Sequence, residues 1–289
     1  MKKIVFKLLG SYLNTAAVLF PKYHRSKAFK LLCKVNRTAV SSQGHVFFDA
    51  ATTTYVTIED TRVAVHKWGT GSKQLLFLHG WMSYSYRWKP YIDQLDLSEF
   101  TIYTIDAPGH GLSSGKTLHL EMYRKAVSEV INNAGKIDTL ICHSLGSLVG
   151  AYTFLENEDV PINNYVMMGA PADMNAILDY FKQMLQLSSR SIQNLTIKAN
   201  EILKVKVEAI SMANFFQKTK KPVLVIHELS DRITPVEPIK QAVEGKENIQ
   251  AFYTTGQDHN LKEPETIDSV IAFIQKEVNT VKKETTLCI

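Results

Sequence analysis

Cysteine is scarce in this chain, and the few there are do not pair by pattern. Cys33, Cys142 and Cys288 are odd in number and widely spaced, with no Cys-x-x-Cys and no His/Cys metal spacing. A disulfide scaffold and a structural zinc site are therefore not expected, whereas a reducing, cytoplasmic compartment is. Long apolar runs are missing too, because the uncharged stretch from Leu8 to Phe20 is broken by Ser11, Asn14 and Thr15. A bilayer crossing needs about 20 mainly apolar residues, so no spanning helix is expected. Acidic residues are absent from residues 1–40, where nine of the 33 Lys and Arg fall; the rest of the chain sets the other 24 against 28 Asp and Glu. A domain that handles nucleic acid carries basic stripes outside such an arm, so no nucleic-acid partner is expected.

Nucleotide signatures are incomplete. Gly109-His-Gly111 follows a strand-like run, but position 114, where a dinucleotide loop needs its third glycine, is serine. Gly69-Thr-Gly-Ser-Lys73 lacks phosphate-loop spacing and precedes a strand, so it reads as a turn. No His-Glu-x-x-His helix occurs, and His66, His119 and His227 read as structural residues. Neither a metal nor an organic cofactor is expected.

What remains has the composition of a water-soluble globular protein, with 45% apolar and 21% charged residues. Val5, Leu8, Leu9, Tyr12, Leu13 and Ala16 recur at helical spacing, and Phe29, Leu32 and Cys33 do so after Pro21. Residues 1–40 therefore read as two short, basic, amphipathic helices. Three uses are open to them: packing on the core, peripheral contact with a membrane surface through residues 1–38, or a signal or anchor. The third has no small-residue cleavage site to support it. Asn36-Arg-Thr and Asn194-Leu-Thr have sequon form, which matters only in a secreted chain.

From residue 46 short β-rich runs alternate with longer helical windows. Strands are expected at 54–58, 62–68, 74–78, 101–105, 139–142, 165–168, 223–227 and 250–254, which predicts an α/β fold with a mostly parallel sheet flanked by helices. The long gap after Met168 carries Ile177, Tyr180, Phe181, Met184 and Leu185 at helical periodicity. Residues 172–220 are thus expected to be a helical cap inserted into a core of 46–171 and 221–278, with 279–289 as a C-terminal tail.

The chemistry concentrates at three places. Cys142-His-Ser144-Leu-Gly146 joins an apolar strand to the helical run Leu148 to Leu155, a strand–nucleophile–helix elbow that exposes a hydroxyl and aims the Leu145 amide at a developing oxyanion. Ser144 equally fits an ordinary helix N-cap. A serine needs a base, and His259 lies just past the last expected strand, at the sheet edge that also holds Ser144. Asp231, past the preceding strand, is the expected acid that orients it, with Asp173 and Asp258 as the other possibilities.

Together His79-Gly-Trp81, Asp106-Ala-Pro-Gly109-His-Gly111-Leu-Ser113, the Ser144 elbow, Asp231 and His259 resemble the α/β-hydrolase superfamily over residues 54–277. That resemblance implies a Ser144, Asp231, His259 triad, an oxyanion hole completed by the Trp81 amide, and a cap over the substrate. His79, Gly80, Tyr84 and His143 are expected to border the substrate, although Trp81, Tyr84, Tyr86 and Trp88 are equally readable as core packing. The implied activity is hydrolysis of a small-molecule carboxylic ester or thioester through an acyl-enzyme. Acyl transfer or carbon–carbon hydrolysis by the same triad, and a catalytically silent ligand-binding protein, are the alternatives. The chain departs from the family at Cys142, where the elbow usually has Gly, and at Ser147, where a further Gly is frequent.

Overall fold

Runs such as Leu75-Leu-Phe-Leu78 and Thr139-Leu-Ile-Cys142 have no polar face, as strands covered by helices on both sides require. In the computed structural model, which describes the backbone of residues 2–287 and the side chains of residues 4–276, eight strands build one sheet. They are β1 (Thr52–Ile58), β2 (Thr61–Trp68), β3 (Lys73–Leu78), β4 (Phe100–Ile105), β5 (Ile137–His143), β6 (Ile162–Met168), β7 (Val223–Glu228) and β8 (Ile249–Thr254). Their order is β1-β2-β4-β3-β5-β6-β7-β8. The β1–β2 hairpin and the β2–β4 pair are antiparallel, and every other pair is parallel.

The helices are α1 (Lys2–Leu19), α2 (Pro21–Leu32), α3 (Ser42–Asp49), α4 (Lys89–Ile92), α5 (Leu120–Ala134), α6 (Leu145–Glu156), α7 (Met174–Leu185), α8 (Ser189–Leu203), α9 (Met212–Lys218), α10 (Glu237–Val243) and α11 (Pro264–Leu287). Period-2 alternation divides the core between the sheet faces. Leu76, Leu78, Tyr165, Met167, Val223 and Val225 point to the face covered by α5, α6 and α9. Leu75, Phe77, Val166, Met168, Leu224 and Ile226 point to the face covered by α3, α4 and α11.

Residues 172–220 divide in two. Helix α9 buries Phe215 and Phe216 in the core beside Phe154 of α6. Helices α7 and α8 give Met174, Ala199 and Leu203 to the same core and share a second apolar cluster with the N-terminal arm, built from Leu13, Ala28, Leu178, Leu185, Leu187 and Leu195. Residues 1–40 therefore add a second pair of helices, α1 and α2, to the layer formed by α7 and α8. A Cβ on Gly10 would lie 1.7 Å from the Leu185 carbonyl oxygen, so only glycine lets α1 approach α7 this closely. Asn14 adds a polar clamp: its side-chain carbonyl accepts from the Ser188 amide at 2.7 Å and the Ser191 hydroxyl at 2.8 Å, and its amide donates to Gln186 O at 3.0 Å. Asn194 of the second sequon is buried and donates to Ala17 O.

Beyond α2 the chain runs extended. Val35 N donates to Lys116 O and Leu118 N to Cys33 O. Arg37 donates to the carbonyls of Gly109 and Gly111, tying the arm to the loop after β4. At the other end, the segment expected to be a tail from residue 279 continues α11 as far as Leu287; Cys288 lies outside the described residues. Among the described residues no helix is long and apolar enough to cross a membrane.

Candidate active site

The chain reverses its direction across the sheet at β3, adding β4 on one side and β5 on the other. Loops leaving β3 and β5 therefore flank a crevice at the strands' C-terminal edge, where open α/β sheets bind ligands. Ser144 sits in that crevice with φ 54° and ψ −123°, a strained backbone for a side chain of L configuration. The elbow is fastened by Ser144 N donating to Met168 O at 2.8 Å. Gly146 is obligatory, because a Cβ there would lie 2.5 Å from Leu78 O. Ser144 starts α6 without capping it by its side chain, so the hydroxyl is free for another partner.

That partner is His259. Ser144 Oγ donates to His259 Nε2 at 2.9 Å, and His259 Nδ1 donates to Asp231 Oδ2 at 2.6 Å. The carboxylate fixes the tautomer, since Oδ2 can only accept a proton while it is ionised. Burial opposes that ionisation, but hydrogen bonds from His259 and Thr234 outweigh it and hold the Asp231 carboxyl down at about 2. Asp231 Oδ1 accepts from the amides of Ile233 and Thr234, and Oδ2 also accepts from Thr234 Oγ at 2.8 Å. Neither alternative acid takes part: Asp173 caps α7 through the Ala176 amide, and Asp258 accepts from the Asn260 amide.

The two departures in the elbow have a physical explanation. A Cβ on Gly150, in the second turn of α6, would lie 2.9 Å from Cys142 Sγ, so the sulfur occupies the space that the glycine leaves. Ser147 is buried, and its hydroxyl donates to Met168 O at 3.2 Å. Both replacements are thus compensated within β5, β6 and α6.

The loop after β3 is equally constrained. Gly80 lies so near Ser144 that a Cβ there would be 2.8 Å from Ser144 Cβ. The next turn is held by Met82 N donating to His110 Nε2 at 3.1 Å, Thr38 Oγ donating to Met82 O at 3.1 Å, and Ser85 N donating to Asp106 Oδ1 at 2.8 Å. Asp106 also accepts from Leu112 N and His66 Nε2. Burial opposes its charge, but His66 and these donors bring its carboxyl down to about 2.

Three of the expected substrate neighbours have other employment. His79 is fully buried, with Nδ1 donating to Gly80 O and Nε2 accepting from Ala107 N; burial, helped by His110, pushes it down to about 3, so it is a neutral pin between β3 and β4. Tyr84 is turned toward α3, where its hydroxyl accepts from Ser41 N and its ring stacks with Tyr86. His143, the residue before Ser144, is buried with both nitrogens engaged. These three side chains are thus held by partners within the protein, while Gly80 backs onto Ser144 Cβ.

His143 leads to a residue that the motifs did not reveal. Arg87, buried after β3, donates from Nη1 to His143 Nδ1 at 2.6 Å and from Nη2 to Asn260 O at 2.9 Å. His143 Nε2 in turn donates to His259 O at 2.8 Å. Burial, reinforced by the Arg87 cation, holds His143 well below the usual imidazole range, consistent with a neutral ring that accepts at Nδ1 and donates at Nε2. Arg87 and His143 thereby grip two successive carbonyls, those of His259 and Asn260. Thr234 is the second unrevealed residue, although a Thr three places after an Asp and just before Pro235 is a turn signal that points to it. His227, also expected to be structural, donates to Thr234 O at 2.7 Å. Among the described residues no cluster of three or more His, Cys, Asp or Glu could hold a metal ion.

An eight-stranded sheet in this order, with a serine elbow and a histidine–aspartate pair at its C-terminal edge, defines an α/β-hydrolase. The family model described as serine aminopeptidase, S33 matches residues 70–216, just over half of the chain, and the protein belongs to that family of hydrolases. Solved structures share the fold at low identity. The monoacylglycerol lipase of Paleococcus ferrophilus is 20% identical with a TM-score of 0.58, over 74% of this chain and 99% of that one. Est1E of Butyrivibrio proteoclasticus, solved with ferulic acid, is 17% identical with a TM-score of 0.64, over 78% and 99%. The thioesterase domain of the curacin biosynthetic pathway is 15% identical with a TM-score of 0.56, over 78% and 99%. No curated protein matches the chain.

Proposed function

We propose that the protein hydrolyses a carboxylic ester or thioester through an acyl-enzyme on Ser144. The observation that carries this reading is the continuous hydrogen-bonded series from Ser144 Oγ through His259 to Asp231, at 2.9 and 2.6 Å. His259 Nε2 takes the hydroxyl proton as Ser144 Oγ bonds to the acyl carbon, and Asp231 stabilises the imidazolium that results. The carbonyl oxygen becomes an oxyanion held by the amides of Trp81 and Leu145. Leu145 is the first residue of α6, so its amide has no acceptor within the helix. Collapse expels the alcohol or thiol, which receives the proton from His259. A water then repeats the sequence on the acyl-enzyme, releasing the acid and restoring Ser144.

The choice of acyl ester rests on this constellation and on the lipase, thioesterase and esterase that share its fold. The test is steady-state hydrolysis of p-nitrophenyl esters and acyl thioesters of rising chain length, with an aminoacyl p-nitroanilide in the same panel. Ester or thioester turnover in the wild type, lowered by about 10⁴ or more in Ser144→Ala, is the expected result. Turnover of the anilide alone would reassign the substrate class, and an undiminished Ser144→Ala would reassign the nucleophile.

A further inference from the structure

The N-terminal arm solves only half of its packing problem. One side of α1 is spent on the cap, where Leu13, Ala16 and Ala17 are buried. The opposite side should then be polar, as on any surface helix. It is not: Ile4, Leu8, Tyr12 and Leu19 fall on one stripe at intervals of four, four and seven residues, and they are 64%, 67%, 47% and 62% exposed. Val5, Val18 and the following Phe20 are exposed beside them. Ser11 and Thr15 are the exposed polar residues between them; isolated surface leucines are ordinary, but a face this rich in exposed apolar side chains marks a surface that meets something.

The neighbouring helix says what that is. Helix α2 buries His24 and Ala28, and its outward residues are Lys22, Tyr23, Ser26, Lys27 and Lys30, all exposed. The two outward faces lie side by side, because the hydroxyls of Tyr12 and Tyr23 meet on the solvent side at 3.0 Å. An apolar stripe thus runs next to a lysine stripe, with two tyrosines at the seam. Apolar groups that enter acyl chains, tyrosines at the headgroup level and lysines on anionic headgroups make the pattern of a helix lying in a membrane interface. A second copy of this chain is a poor occupant for the face, since self-pairing would set Lys22, Lys27 and Lys30 against their own copies with no acidic residue in residues 1–40 to offset them.

We infer that α1 and α2 form a docking surface for an anionic lipid bilayer. The surface is carried on the cap: α1 packs on α7, and α7 follows the Gly169 turn, where a Cβ would stand 3.4 Å from the His259 ring. Bilayer contact therefore falls on the helical layer that leads directly to the reacting groups. This inference does not depend on the reaction proposed above, because its readout is binding.

The full chain is sedimented with vesicles of phosphatidylcholine alone and of phosphatidylcholine mixed with phosphatidylglycerol, at low and high salt. The wild type is expected to bind the mixed vesicles, to release as salt rises, and to bind neutral vesicles less. Ile4→Gln/Leu8→Gln/Leu19→Gln keeps helix propensity and touches no buried group, so its melting temperature should hold while vesicle affinity falls by about tenfold or more. Lys22→Glu/Lys27→Glu/Lys30→Glu should lose the preference for anionic vesicles. Absence of wild-type binding to the mixed vesicles, or full binding by the glutamine variant, would overturn the inference. So would a wild-type dimer that the glutamine variant dissolves, which would give the face to a second copy.

Discussion

Replacing Gly150 by alanine puts the elbow's packing to a quantitative test. In isolation the change should help, since alanine in a helix interior is favoured over glycine by about 1 kcal/mol. Here the new Cβ would lie 2.9 Å from Cys142 Sγ, 3.1 Å from Leu140 Cδ2 and 3.5 Å from Met167 Cε. The leucine and methionine ends can rotate away, but the sulfur is one bond from a Cβ fixed on the central strand β5. Overpacking of this kind costs about 1–3 kcal/mol, so Gly150→Ala should be destabilising. Cys142→Ala removes the sulfur, and in that background Gly150→Ala should turn neutral or stabilising. The coupling between the two sites is therefore expected at about 2 kcal/mol, measured by urea unfolding of the four proteins of the cycle. Turnover should follow, because spreading β5 from α6 draws Ser144 away from His259, and the double variant should regain what the single one loses. Additivity within about 0.5 kcal/mol would refute the claim that Cys142 and Gly150 are matched.

Other consequences are open to measurement. Asp231→Asn leaves the geometry but admits the wrong histidine tautomer, so kcat should fall by up to about 10⁴; near-wild-type turnover would reassign the acid. Arg87→Met should lower kcat by about 10²-fold with KM little changed, through loss of the grip on His143 and Asn260 O. Arg87→Lys should restore only part, since an ammonium cannot serve both acceptors in the same fork, and an unchanged kcat in the methionine variant would remove Arg87 from the account. Asp106 is held at about 2 in the folded chain against an ordinary 3.8. Its charge therefore contributes stability in full above about pH 4, and this contribution, about 2 kcal/mol, is lost as pH falls toward 2. The urea midpoint of Asp106→Asn should accordingly depend less steeply on pH across that window than the wild type's, and equal slopes would contradict the assignment.

The strands and the three aligned side chains could be read in the sequence for separate reasons. Buried parallel strands announce themselves as short runs of Leu, Ile, Val and Phe, and all eight expected strands appear, each lengthened by one to three residues at its ends, as where Ile137 and Asp138 join β5. Ser144, Asp231 and His259 carry local signals, each following a strand. Residues whose role depends on distant partners carried no such signal. Arg87 meets His143 and Asn260 across 56 and 173 residues, and Gly10 and Asn14 meet the α7–α8 turn over comparable distances. Hence the arm's docking on α7 and α8 was not legible, although its helices were. Helix α3, with eight residues, is too short for periodicity to reveal, although Ser41 caps it. The partners of the His79 and Tyr84 rings were not legible, because proximity to a motif in sequence does not say which way a ring turns.

The most direct measurement of the central claim is intact and peptide mass spectrometry after treatment with a fluorophosphonate. A single adduct on the peptide that contains Ser144, missing in Ser144→Ala and slowed in His259→Ala, is the predicted result. An unlabelled wild type, or an adduct that persists in Ser144→Ala, would contradict it.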